Sequence, residues 1–186
     1  MKQIFIINGS GGVGKDAFIN AVHDQSFEPS KNIYINMANY SSVSKVKEIA
    51  KLIGWNGSKT EKDRKFLSDL KLLTTEFNNM SLNDMKKYAN DFMNYNSRNE
   101  EKILFLHIRE PEEIAKAVEE FKEYNAKTIL VKRDSVKHIT SNMADENVYN
   151  YDYDIVINNN GNIEDLKEKA DTFLIDYINK ELKNEY

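Results

Sequence analysis

The eight residues Gly9-Ser10-Gly11-Gly12-Val13-Gly14-Lys15-Asp16 constrain this chain more than any other stretch. They follow the apolar run Ile4-Phe5-Ile6-Ile7 and precede a helical pattern of Ala17, Phe18, Ala21 and Val22. Strand, glycine-rich loop and helix in that order are the setting of a phosphate-binding P-loop, with Asp16 where the pattern asks for Ser or Thr. Four of the seven glycines in the chain fall here. Glycine tolerates the positive φ that lets successive N–H groups converge on one concavity. The helix that follows adds the positive end of its dipole, and the Lys15 ammonium adds a full charge. Gly11, Gly12, Val13, Gly14, Lys15 and Asp16 are therefore the expected contacts to nucleotide phosphates.

With 186 residues, 40% of them hydrophobic and 30% charged, the chain is expected to fold as one compact domain with a real core. A formal net charge of −4 speaks against a nucleic-acid polymer as partner, because backbone phosphates require a basic face. A single nucleotide needs only a few local cations and remains compatible. Cysteine is absent, which excludes disulfides, thiol nucleophiles and thiolate metal sites. No apolar run approaches the length of about 20 residues that spans a bilayer. The first apolar run begins close to Met1, so no signal peptide is expected and the expected location is cytoplasmic.

Along the chain, residues 31–37 alternate as a second strand, and Val46, Ile49, Ala50 and Ile53 share one face of a helix that Gly54 stops. A helix over 63–77 is expected to turn Phe66, Leu67, Leu70, Leu73 and Phe77 inward, and another follows over about 82–94. Ile103-Leu104-Phe105-Leu106-His107-Ile108 reads as a strand buried on both faces. Pro111 with Glu112 and Glu113 opens the next helix. Strands at 128–131 and 155–157 and a final helix capped by Asn162 complete the pattern. Strands separated by helices imply a parallel sheet covered on both faces, with ligands at the carboxyl ends of the strands. The P-loop, Arg109, Arg133 and Asn158 all belong to such ends.

The sequence resembles the P-loop nucleoside monophosphate kinases, most closely the deoxynucleoside monophosphate kinases of phages and bacteria. The resemblance rests on the loop ending Gly14-Lys15-Asp16 and on an insertion containing Gly54-Trp55-Asn56-Gly57 and Lys62-Asp63-Arg64. It rests also on a tail with Arg133, Asn142 and Asp145, then Tyr151 to Gly161. It implies a three-layer α/β/α P-loop NTPase fold with a five-stranded parallel sheet in the order 2-3-1-4-5. The implied core is 1–39, 99–132 and 151–186, with a helical acceptor-binding insertion at about 40–98 and a short lid at about 133–150. Two departures stand out: His107-Ile108-Arg109-Glu110 replaces the acid that ends the third strand, and the lid carries one Arg.

Phosphoryl transfer needs in-line oxygens and neutralised charge more than covalent help from protein. Lys15 is expected to supply that charge. Asp16 either helps to hold Mg²⁺, as an oxygen ligand no worse than a hydroxyl, or serves the helix dipole. The 26 basic residues include only four arginines, Arg64, Arg98, Arg109 and Arg133. Where Lys is the default cation, an Arg points to bidentate phosphate contact. Arg109 and Arg133, at strand ends, are the expected catalytic arginines. Arg64 reads either as an acceptor-phosphate contact or as one side of a surface pair. Trp55 either stacks on an acceptor base or anchors a helix end. Asn158 and Gly161 shape a loop against adenine or simply make the turn. His107 reads as a core histidine, and Glu110 as a cap or an Mg²⁺ contact.

The combined expectation is an ATP- and Mg²⁺-dependent kinase acting on a nucleoside or deoxynucleoside monophosphate, as a monomer or homodimer without membrane contact. The alternatives are a kinase of the dephospho-coenzyme A or phosphomevalonate type, and a nucleotide-binding regulator with weak turnover.

Overall fold

The computed structural model describes residues 2–28, 33–95, 101–136 and 147–184. Its sheet is built from β1 (Lys2–Asn8), β2 (Phe27–Glu28), β3 (Ile33–Ser41), β4 (Glu101–His107), β5 (Lys127–Lys132) and β6 (Ile155–Asn158). The spatial order is β2-β3-β4-β1-β5-β6. The five longer strands are all parallel and run in the expected 2-3-1-4-5 order. The additional strand, β2, pairs antiparallel with the start of β3 through Phe27–Tyr34 and Glu28–Ile33. Two residues carry no periodicity, so the sequence pattern gave no sign of it.

Alternation along β1 explains the three layers. Phe5 and Ile7 join Ile103, Phe105, Ile129 and Val131 on one face, against α1 (Lys15–Gln25) and α6 (Ile163–Asn184). Ile4 and Ile6 join Leu104 and Leu106 on the other, against α4 (Met80–Asn94) and α5 (Pro111–Glu120). Both faces are dry, which is why β1 and β4 read as continuous apolar runs. Phe173 of α6 meets Phe5 edge-on at 4.9 Å and Phe18 of α1 at 5.5 Å. Each such pair adds about 1 kcal/mol beyond the area it buries. The P-loop helix is thereby braced from behind by α6.

The start of α6 is held by reciprocal bonds. Asn162 Oδ1 accepts from the N–H groups of Glu164 and Asp165 at 2.8 and 3.0 Å, and Asp165 Oδ2 accepts from Asn162 N–H at 2.7 Å. Asn162→Ala is expected to cost about 1 kcal/mol, seen as a lower urea midpoint with unchanged slope. An unchanged midpoint would assign the helix start to Asp165 alone.

The insertion between β3 and β4 consists of α2 (Ser44–Leu52), α3 (Glu61–Asn78) and α4. Thr60 and Asp63 form a capping box that starts α3 two residues before the expected position. The orientation of its second half also differs from the expectation. Leu73 is 64% exposed and Phe77 84%, whereas Lys71 is buried. Lys71 Nζ donates to Glu110 Oε2 at 2.5 Å and to Glu113 Oε2 at 2.7 Å. This charged pairing, not apolar periodicity, sets which side of α3 faces the core. Among the described residues no helix is long and apolar enough to cross a membrane.

Candidate functional site

β1 ends at Asn8, a buried amide with every hydrogen bond accounted for. Its Oδ1 accepts from Gly9 N–H at 2.8 Å; its Nδ2 donates to Arg109 O at 3.0 Å and to Tyr153 Oη at 2.7 Å. Tyr153 Oη donates in turn to Val148 O at 2.7 Å. Burial pushes the Tyr153 hydroxyl up to about 12, so it remains a neutral donor throughout the physiological range. One side chain thus ties the loop entrance to the segment beyond β4 and to the segment before β6.

The loop itself turns through positive φ at Gly9, Gly12 and Gly14. Gly9 sits so close to β5 that a Cβ there would lie 2.4 Å from Val131 O. At Gly14 a Cβ would lie 2.4 Å from Asn159 Nδ2. Val13 points its side chain into the core, so only its backbone is available to a ligand, and its carbonyl accepts from Asn159 Nδ2 at 2.8 Å. Gly12 is exposed, with open space where a side chain would stand, so the concavity is open to solvent. The buried Ser10 Oγ has no hydrogen-bond partner. Lys15 Nζ folds back over the loop and donates to Gly9 O at 2.5 Å and Ser10 O at 3.0 Å. An open nest of amides with an ammonium at its rim fits a chain of phosphates. Gly14→Ala is expected to weaken nucleotide binding at least about tenfold, because positive φ and the Asn159 contact both resist a Cβ. Isothermal titration with ADP reads the change, and undiminished affinity would place the nucleotide elsewhere.

Asp16 opens α1 with its side chain 90% exposed, and its Oδ1 lies 3.9 Å from His107 Nε2. His107 closes β4 directly opposite Ile7. Burial is the largest influence on its imidazole and holds it below the ordinary histidine range. Asp16 opposes that shift, while Lys15, Arg109 and Lys47 reinforce it. Lys15, Asp16, His107 and Arg109 therefore gather at the carboxyl ends of β1 and β4, with Lys47 of α2 within electrostatic range. A carboxylate and an imidazole beside a phosphate nest are a suitable donor pair for a divalent cation completed by phosphate oxygens and water.

The second wall comes from the ends of β5 and β6. Asn159 N–H donates to Lys132 O at 2.7 Å, and Asn160 bonds Asp134 through both its amide atoms, at 2.8 and 2.6 Å. Arg133 sits between these contacts, its Nε 3.3 Å from Ser135 Oγ. Asn158 faces solvent, and its carbonyl accepts from Lys169 Nζ at 2.6 Å. The asparagine that reaches the P-loop is its neighbour Asn159. Gly161 lies at the turn into α6, where a Cβ would collide with the Asp165 carboxylate.

The insertion residues are engaged locally. Trp55 Nε1 donates to Ser58 O at 3.2 Å, folding the indole over its own loop. Arg64 is exposed, and its Nε donates to Lys59 O at 3.2 Å. Asn142 and Asp145 of the expected lid lie outside the described residues. Sequence reasoning missed Asn159, Lys47 and the His107–Asp16 contact. Only the last left a signal, the histidine at the strand end where an acid was expected.

Fold and site together define a class: a P-loop protein with a three-layer α/β/α architecture and a helical insertion between β3 and β4. The sequence matches no family model and no curated protein. Among solved structures, the chain is similar to a tunicamycin resistance protein of Deinococcus radiodurans, at 10% identity and TM-score 0.48, over 94% of this chain and 96% of that one. It is similar also to a sugar kinase from Janibacter sp. HTCC2649, at 13% identity and TM-score 0.49, over 94% and 95% of the two chains.

Proposed function

We propose that the protein transfers the γ-phosphoryl group of ATP to the phosphate of a small acceptor, a nucleoside or deoxynucleoside monophosphate. The observation that carries this reading is the gathering of Lys15, Asp16, His107 and Arg109 around an open amide nest. The nest would cradle the donor phosphates. Lys15, released from Gly9 O and Ser10 O, would neutralise charge on the transferred group. Arg109 and Lys47 would draw the acceptor phosphate to the same place, and Arg133 would approach from the β5 side. Mg²⁺, held by Asp16, would supply charge neutralisation between the donor phosphates. Helices α2–α4 would supply the wall for an acceptor, with Lys47 of α2 within electrostatic range of His107, while a net charge of −4 favours a small ligand over a polymer.

The test is ADP production from ATP and Mg²⁺ against a panel of nucleoside monophosphates. A base-dependent rise in ADP is expected. A second reading, a nucleotide-binding regulator, draws on His107 standing where the third strand would end in an acid. ATP binding without acceptor-stimulated turnover would establish that reading instead, and turnover with non-nucleotide acceptors alone would reassign the insertion.

A further inference from the structure

We infer that the imidazole of His107 is itself a cation ligand, partnering the Asp16 carboxylate, and that the site consequently prefers first-row transition ions over Mg²⁺. The inference rests on the reading of residues 9–16 as a nucleotide-phosphate site.

Geometry is the first support. Two atoms bound to one ion at about 2.1 Å stand about 3 Å apart when adjacent and about 4 Å when opposite. His107 Nε2 and Asp16 Oδ1 are 3.9 Å apart, within the bite of a single cation. Asp16 is almost fully exposed, so its carboxylate can turn to meet the ion.

Preorganisation is the second support. His107 is fixed by β4, paired opposite Ile7 on one side and Ser41 on the other, and its carbonyl accepts from Ser42 N–H at 3.0 Å. The His107 side chain is only 17% exposed, and Nε2 is the ring nitrogen that faces Asp16.

Donor count is the third support. Lys15, Arg109 and Lys47 bring positive charge near His107, which the Asp16 carboxylate and the donor phosphates sharing the ion would have to offset. Among the described residues no group of three or more His, Asp or Glu could enclose a metal by itself. Two protein ligands are what an ion shared with phosphates needs, the rest being phosphate oxygen and water. Replacing an oxygen ligand by imidazole moves the preference away from Mg²⁺ and along the transition series.

The experiment loads the full chain with Mn²⁺ and ADP and records electron spin-echo envelope modulation. The expected result is nitrogen coupling from a bound imidazole, altered by ¹⁵N-histidine labelling and lost in His107→Gln. In parallel, Co²⁺ affinity of the ADP complex should fall about tenfold in His107→Gln, with Mg²⁺ affinity changing much less. The labelling arm uses the native protein and stands even if the variant folds poorly. Manganese bound with ADP but without histidine coupling would overturn the inference and leave the kinase reading intact. Coupling that persists in folded His107→Gln would overturn it as well. Failure of the native protein to bind ADP at all would remove both.

Discussion

Lys15→Ala is expected to lower acceptor-dependent ADP production by about 10²–10³-fold, equivalent to about 3–4 kcal/mol of transition-state stabilisation. The reason is positional. Lys15 Nζ spans the loop between Gly9 O and Ser10 O, at the mouth of the nest where transferred charge would collect. Lys15→Arg should not restore the rate, because a planar fork is too wide to replace a point charge over two carbonyls. The alanine variant gives up bonds at a half-buried position, so the fold itself should persist. Circular dichroism together with the ADP assay separates the two effects. A variant that keeps native turnover would show that the activity does not pass through this loop.

The second large effect concerns Lys71, far from Lys15 in sequence, which bonds Glu110 next to Arg109 in the chain. Lys71→Met is expected to cost about 2–3 kcal/mol, because it leaves two partly buried carboxylates without their shared ammonium. Glu110 caps α5 and Glu113 lies in its first turn, and Lys71 of α3 bridges them. Burial pushes Glu110 upward, but the Lys71 ammonium outweighs it and holds the carboxyl below its ordinary range. Glu113 is raised, by burial first and then by the charge of Glu110, against the pull of Lys71.

The pH dependence follows from these directions. A depressed carboxyl such as Glu110 contributes stability above its unfolded pKa and loses it as pH falls through the lower folded value. A raised one such as Glu113 contributes most below its unfolded pKa and loses that contribution as pH rises through the folded value. Without Lys71 both carboxyls are raised, and both then oppose folding at neutral pH. The gap between the native protein and Lys71→Met should therefore be widest near pH 7 and shrink below about pH 4.5. Urea denaturation at the two pH values measures it. Adding Glu110→Gln and Glu113→Gln should recover most of the loss, since removing all the charges of such a cluster together is often nearly neutral. A gap that does not change with pH would mean that the ammonium stem packs and its charge is irrelevant.

What could be read in the sequence was whatever is encoded locally. The β1–loop–α1 unit is specified by consecutive residues, and β4 announces itself as an apolar run because it is buried on both sides. Features set by distant partners were not legible. Lys71 is buried only because two glutamates, 39 and 42 residues further on, meet it. A hydropathy pattern therefore rated α3 by its leucines and turned Leu73 and Phe77 the wrong way. The assignment of Asn158 rather than Asn159 to the nucleotide loop turned on strand parity. Ile155-Val156-Ile157 are all apolar and do not show which face is inward. Only the register with β5, which buries Ile157 and Asn159 and exposes Val156 and Asn158, decides it. The lid expected at about 133–150 lies mainly outside the described residues.

Asn159 and Phe173 carry one more implication, about the order in which a ribosome would deliver the parts. The glycine-rich segment emerges first, but the amide that grips Val13 O and the ring that braces Phe18 come about 150 residues later. At roughly 5–20 residues per second, a nascent chain would carry the phosphate motif for roughly 8–30 seconds before the pieces that shape it exist. During that interval it holds the signature without the receptor, so tight nucleotide capture belongs to the finished molecule.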